Sequence, residues 1–342
     1  SDEMKGGYFT ERPLVVIGAT GRLSSELVFY ALLQRFSRRL VLCGGCEERL
    51  QGLKDEIEES GFGDEWGSIE VHTTLSMEVA VSEGGYVLFA KSVQSSPTTR
   101  EAMLLSNAPF AVECGRALSS VRDKVERVVC VSNPSDLMGL TLLVHSGLSP
   151  ERVMSLSSLD TERFRRTLVR RMGVPLRALS EVYTLGSHDG AMAPMIDRVR
   201  VNGASLSEMG IGREEEVELV RAVRYGGISI YKQRGQTAYQ SPAVHVLRML
   251  MATDSDPFVL PTARYHHSRR YPHTFSSLLT KIDSQGCHHL PTKLTARDVA
   301  ALDGAFASIE GMKQQLIKDG YLPDPTEWGY HLQREEELVE MI

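Results

Sequence analysis

Leu14-Val15-Val16-Ile17-Gly18-Ala19-Thr20-Gly21-Arg22-Leu23-Ser24 is the stretch that decides how this chain folds. Four apolar, mostly β-branched residues read as a buried strand, and two glycines follow without a spacer. Leu23, Leu27, Ala31 and Phe36 then give one apolar helical face, and Leu40-Val41-Leu42-Cys43 reads as a second strand. The unit is therefore strand, glycine turn, helix, strand. Glycine permits a tight turn there, and the free N–H groups and positive end of the following helix suit a pyrophosphate. Gly18 and Gly21 are present, but Ser24 takes the third position of the fingerprint, so a plain α/β turn without a ligand is the competing reading.

Outward from this unit, residues 69–72, 86–89 and 128–131 repeat the short apolar pattern with helical segments between them, as a parallel doubly wound sheet requires. The character changes at Ser146-Gly147-Leu148-Ser149-Pro150, where small residues and a proline form a connection. The expected organisation is α/β: an N-terminal Rossmann domain over 1–149 and an α+β catalytic domain over 150–342. In the second half the pattern predicts a helix from Ser158 and a strand over 181–186. It predicts further helices near 213–225, 242–253 and 295–319, and strands near 257–260 and 274–282. The tail from Leu322 to Ile342 carries two prolines and an acidic end that reads as helical.

Composition bounds the function. With 342 residues, 42% hydrophobic and 24% charged, the chain can bury two cores. A net charge of −6 argues against a nucleic-acid surface, and the basic runs 163–171 and 264–273 read as solvated faces or small-anion pockets. No apolar run approaches a membrane span and no signal-peptide pattern opens the chain, which leads to an expectation of a cytoplasmic protein. Five scattered cysteines fit a reducing compartment better than a disulfide framework. Cys43-Gly44-Gly45-Cys46 and Cys287-His288-His289 offer thiol and imidazole, yet no second C-x-x-C completes a zinc set, so no metal is expected.

Ser158-Leu159-Asp160-Thr161-Glu162-Arg163-Phe164-Arg165-Arg166 places an acid and a base three positions apart on one helical face, with Leu159, Phe164 and Leu168 as the apolar side. By itself that is an ordinary helical ion pair. Together with Val131-Ser132-Asn133-Pro134-Ser135-Asp136 before it and Gly186-Ser187-His188-Asp189-Gly190 after it, the order and spacing resemble the malate/lactate dehydrogenase family, from about Pro13 to about Asp319. The wording around Asn133 and Gly139-Leu140 looks more like bacterial malate dehydrogenases than lactate ones.

The resemblance implies a malate dehydrogenase-type oxidoreductase that moves hydride between NAD(H) and a small 2-hydroxy/2-oxo acid, malate/oxaloacetate by resemblance, acting as a homodimer or homotetramer. It implies that His188 is the proton donor and acceptor, with Asp160 holding its imidazole and favouring the charged form. Arg163 would grip the substrate carboxylate with its planar fork, Arg100 would polarise the carbonyl, and Asn133 would orient substrate or nicotinamide. Gln94 would read the substrate's far end. Gly18, Gly21, Arg22, Leu23, Gly44, Asn107, Val131 and Asn133 would line the cofactor, and Ser92 to Thr99 would form a closing loop.

Departures from the family concentrate at specificity positions. Gly44 stands where an acidic residue grips the adenosine ribose, which weakens NAD and admits NADP, with Arg49 or Arg22 as partners for its phosphate. Ser24 and Lys91 replace glycines, and Gln94 replaces the arginine of malate enzymes, the amide being what lactate enzymes carry. Two alternatives follow: a non-catalytic or altered-specificity paralogue with a weakened cofactor site, and a redox sensor built on Cys43 and Cys46.

Overall fold

The structure, a computed structural model, describes residues 7–62, 69–93 and 99–342. Its centre is an eight-stranded sheet. Strands β1 (Leu14–Ile17), β2 (Arg39–Cys43), β3 (Glu70–Thr74), β4 (Gly85–Phe89), β5 (Val125–Cys130) and β6 (Val153–Ser155) run parallel. Beside β6 the antiparallel strands β7 (Thr262–His266) and β8 (Thr274–Leu278) close that edge. The spatial order is β8-β7-β6-β5-β4-β1-β2-β3, so the chain reverses direction across the sheet between β1 and β4. That reversal opens a crevice beyond the carboxyl ends of the strands, where doubly wound folds receive their ligands.

All four residues of β1 are fully buried, which is why the run reads as continuously apolar rather than alternating. Helices α1 (Arg22–Leu33), α2 (Glu47–Glu59), α3 (Met77–Ala80), α4 (Arg100–Ser119) and α5 (Ser135–Ser146) connect these strands. Two apolar clusters cover the two faces of the sheet, one holding Val16, Leu27 and Leu42, the other Ile17, Phe89 and Leu104. At roughly 1.5–3 kcal/mol for each large apolar side chain buried, these clusters are the main source of stability.

The second half contributes α6 (Leu159–Met172), α7 (Arg213–Arg224), α8 (Gly226–Arg234), α9 (Gln240–Leu250) and α10 (Ala296–Lys318). Strands β6, β7 and β8 all lie beyond residue 149, yet they extend the N-terminal sheet, so both halves of the sequence share it.

Several expected elements are redrawn. The strand expected over 181–186 is reduced to Thr184–Leu185: Glu181 has φ +56°, and Gly186, at φ +91°, makes only an isolated bridge to Ser277. The strand expected near 257–260 begins instead at Thr262: Pro257 and Pro261 supply no N–H, and Phe258 makes only an isolated bridge to Ile282. The single strand expected over 274–282 breaks at Leu279 into β8 and a hairpin strand, Thr280–Asp283, paired with Gly286–His289. The basic run at 264–273 is not a solvated face at its start. Arg264 and His266 are buried in β7, and Arg264 donates to the carbonyls of Tyr265 and Cys287 at 2.9 and 2.8 Å.

The acidic end of the tail is not helical. Val339–Met341 forms a strand parallel to Thr292–Leu294, and Leu322, Trp328 and Leu332 are buried against the second cluster. Apolar anchors and ladder partners outweigh the helix propensity of its glutamates. No helix among the described residues is long and apolar enough to cross a membrane.

Candidate active site

Helix α6 forms because Leu159, Phe164 and Leu168 bury one face, and Gly173 ends it in the left-handed conformation that glycine favours. Asp160 lies in its first turn with 2% of its side chain exposed, and Arg163, three positions on, with 15%. Arg163 Nη1 donates to Asp160 Oδ1 over 3.2 Å. Two glycines opening α8 make room for the guanidinium: a Cβ on Gly226 would stand 2.9 Å from Arg163 Cδ, and one on Gly227 3.4 Å from Nη2.

His188 arrives from a different element. Thr184 donates its N–H to Thr161 Oγ1 at 3.0 Å and its hydroxyl to the Asp160 carbonyl at 3.1 Å, fastening the short 184–185 strand onto α6. Gly186 then exchanges backbone hydrogen bonds with Ser277 of β8, at 2.7 and 2.8 Å. Held from both sides, the loop sets His188 Nδ1 2.6 Å from Asp160 Oδ2. A carboxylate oxygen only accepts, so the proton sits on Nδ1 and Nε2 is the nitrogen left to act on a ligand. The negative charge of Asp160 raises the His188 pKa above its ordinary value; burial opposes this, and the hydrogen bond reinforces it.

Two further carboxyl groups surround the histidine. Asp136, in the first turn of α5, is 3% exposed, and its Oδ2 accepts the His188 backbone N–H at 2.8 Å. Burial pushes its carboxyl up to about 7. Asp189 accepts from Ser187 Oγ, Ser308 Oγ and the Ala191 N–H at 2.5, 2.6 and 2.7 Å. Burial alone would raise the Asp189 pKa, but these donors and the Arg100 charge hold it below the usual range. Arg100, the first residue of α4, spans this loop: Nη1 lies 2.6 Å from Asp189 Oδ2, and Nη2 donates to the His188 carbonyl at 3.2 Å.

The expected site residues thus fall into groups. His188, Asp160 and Arg163 share one hydrogen-bonded cluster, and Arg100 reaches the same loop through Asp189. Asn107 is fully engaged within the protein, its Nδ2 donating to the Asn133 carbonyl at 2.7 Å and its Oδ1 accepting the Val93 N–H at 3.0 Å. It therefore ties the segment after β4 to the one after β5. Asn133 keeps its side chain exposed, and Val131 bonds backbone to backbone with Phe89 at 2.9 Å. Gln94, and most of the loop from Ser92 to Thr99, lie outside the described residues.

At the sheet reversal, Gly18 has φ +86°, and a Cβ there would meet the Ala90 carbonyl at 2.7 Å, so only glycine fits. Gly21 caps α1, and no side chain hydrogen-bonds that cap, leaving the first-turn N–H groups of Arg22, Leu23 and Ser24 directed at the crevice. This cradle fits the pyrophosphate of a dinucleotide. Arg22 leans toward the far wall, donating to Gln236 Oε1 at 3.3 Å with its guanidinium 5.8 Å from the Tyr239 ring. Gly44 is buried after β2, and a side chain there would press on Leu50 Cδ2 at 3.2 Å. Burial pushes the Cys43 thiol up to about 11, which disfavours its thiolate.

Asp136, Asp189, Ser308 and the Gly226-Gly227 pair are the parts that residue-by-residue reading passed over. Signals existed for two of them: an acid opening an otherwise apolar helix at 136–143, and paired glycines at a helix start. Ser158 is a third kind of case, its hydroxyl 2.7 Å from Nδ1 of His245, whose pKa burial lowers to about 4.

Comparison with known proteins agrees with this fold. Residues 13–155 match the family described as lactate/malate dehydrogenase, NAD binding domain. A malate dehydrogenase of Picrophilus torridus is 28% identical over 234 residues, which are 65% of this chain and 70% of the relative. Among solved structures, malate dehydrogenase from Plasmodium falciparum superposes with a TM-score of 0.78 at 22% identity, over 90% of this chain and 99% of that one. Lactate dehydrogenase from Cryptosporidium parvum, complexed with lactic acid and nicotinamide adenine dinucleotide, gives 0.75 at 23% identity, over 90% and 98%.

Proposed function

The chain belongs to the malate/lactate dehydrogenase family, NAD-dependent oxidoreductases of 2-hydroxy acids, and we propose that it interconverts a small 2-oxo acid and its 2-hydroxy acid through His188, Asp160 and Arg163. The observation that carries this reading is the 2.6 Å contact between His188 and Asp160 with Arg163 one helical turn away. The nicotinamide, when bound, supplies or takes up the hydride at the substrate's C2. His188 delivers a proton from Nε2 to the carbonyl oxygen during reduction and takes it back during oxidation, while Asp160 steadies the imidazolium. Arg163 grips the substrate's carboxylate with the guanidinium edge that Asp160 leaves free. Arg100 stands next to the His188 loop and polarises the reacting carbonyl, with Asp189 anchoring it. Gly18, Gly21 and the α1 N-terminus hold the pyrophosphate.

Gln94 narrows the substrate. An amide supplies hydrogen bonds but no charge, and a second carboxylate buried without a partner costs several kcal/mol. Pyruvate or a larger neutral 2-oxo acid is therefore favoured over oxaloacetate. Purified protein should oxidise reduced nicotinamide cofactor with pyruvate, and Gln94→Arg should raise the oxaloacetate-to-pyruvate ratio of kcat/KM by about tenfold or more. A protein that binds neither NADH nor NADPH at millimolar concentration would instead be a non-catalytic paralogue. Wild type preferring oxaloacetate would remove Gln94 from the substrate-reading role.

A further inference from the structure

The carboxyl end of β2 carries a cation where this fold ordinarily presents an acid. Backbone at Ala90 and Lys91 lies flush on the glycine turn: a Cβ on Gly18 would be 2.7 Å from the Ala90 carbonyl and 2.8 Å from Lys91 N. The Lys91 carbonyl accepts Ser132 Oγ at 2.7 Å, which fixes the backbone from the other side. From there the side chain crosses the end of β1 toward β2. Its ammonium stands 3.1 Å from where a Gly45 Cβ would be, and 5.2 Å from the centre of the Phe110 ring, a cation–π contact that positions it. The Cys43 thiol, the last residue of β2, feels the same positive charge. Among the described residues no carboxylate lies within ion-pair distance of Lys91, which is half-buried.

In a doubly wound fold the end of β2 reads the ribose of the adenosine moiety: a carboxylate there accepts its hydroxyls and repels a 2′-phosphate. Here Gly44 and Gly45 provide no carboxylate, and the ammonium faces the same corner. Arg22 is engaged with Gln236 and Tyr239, and Arg49 is exposed on α2, so neither basic residue expected from the sequence is the one placed at Gly45. We propose that Lys91 is a specificity-determining residue that pairs with a phosphate on the adenosine ribose, so that the chain selects a 2′-phosphorylated nicotinamide dinucleotide. The proposal rests on the dinucleotide reading of the Gly18–Ser24 turn and deepens it.

Equilibrium titration by nicotinamide fluorescence tests it without requiring turnover. Wild type should bind NADPH at least tenfold more tightly than NADH. Lys91→Ala should weaken NADPH at least tenfold while changing NADH less than threefold, and Lys91→Arg should restore NADPH binding. Equal losses for both cofactors would overturn the proposal, since Lys91 would then be contacting a group they share, such as the pyrophosphate. Tighter NADH than NADPH in wild type would also overturn it, while leaving the dinucleotide site intact. Binding of neither cofactor by wild type would remove the dinucleotide site itself, and the role of Lys91 with it.

Discussion

In an Asp160→Asn protein one acceptor oxygen becomes a donor, and the two cations that share the carboxylate can no longer both be served. Asp160 Oδ2 holds His188 Nδ1 at 2.6 Å, and Oδ1 holds Arg163 at 3.2 Å. A hydrogen bond to a charged group is worth about 1.5–3 kcal/mol, and the longer contact belongs at the weak end of that range. Solvent does little to screen the loss, because only 2% of the Asp160 side chain is exposed. Together the two bonds amount to about 3–5 kcal/mol, and if most of that is realised in the transition state kcat/KM falls by about 10²–10⁴. The pH profile carries a second signature. Asp160 raises the His188 pKa, so wild-type reduction, which needs the imidazolium, persists to higher pH than an isolated histidine would allow. Without the carboxylate that high-pH limb moves to lower pH, and the corresponding limb for oxidation, which needs neutral His188, moves the same way. The stability that His188 draws from Asp160 is fully present below about pH 6.5 and is lost as pH rises through the raised folded-state value. The variant's thermal deficit should therefore be largest in mild acid. Initial rates of pyruvate reduction and hydroxy-acid oxidation across pH, together with circular-dichroism melts, measure all three effects. A variant within about threefold of wild type in kcat/KM, with an unshifted profile, would refute the assignment of the pair.

Arg163→Lys should raise KM for the oxo acid at least tenfold, because a point charge replaces a two-pronged donor; an unchanged KM would make Arg163 purely structural. Gly226→Ala places a methyl 2.9 Å from Arg163 Cδ and should raise KM several-fold with little change in melting temperature. A large stability loss with normal KM would mean that Gly226 serves the fold instead. Leu332→Ala, at a position 1% exposed in the tail, should destabilise the protein by about 2–4 kcal/mol in denaturant unfolding, and a loss under about 0.5 kcal/mol would detach the tail from the core.

Much of this protein was legible along the chain. Buried parallel strands are apolar on both faces, so the strands at 14–17, 39–43 and 85–89 announced themselves, and the glycine turn marked the crevice between them. Asp160 and Arg163 could be paired because three positions along a helix is one face, a local rule that needs no knowledge of the fold. The position of His188 against Asp160 had no such rule. It depends on Thr184 bonding to α6 and Gly186 bonding to β8, contacts across 24 and 91 residues. The same holds for Arg100 on Asp189, for the buried basic strand at Arg264, and for a tail that pairs as a strand despite its helix-forming glutamates. Lys91 shows the division most clearly: its chemistry was plain in the sequence, but whether that ammonium turns to the substrate or to the ribose corner is set by where the chain leaves β4 relative to Gly18 and Gly45. Local pattern encodes periodicity and turn chemistry, whereas the direction of a side chain between two strands follows from the strand order, which only the assembled sheet fixes.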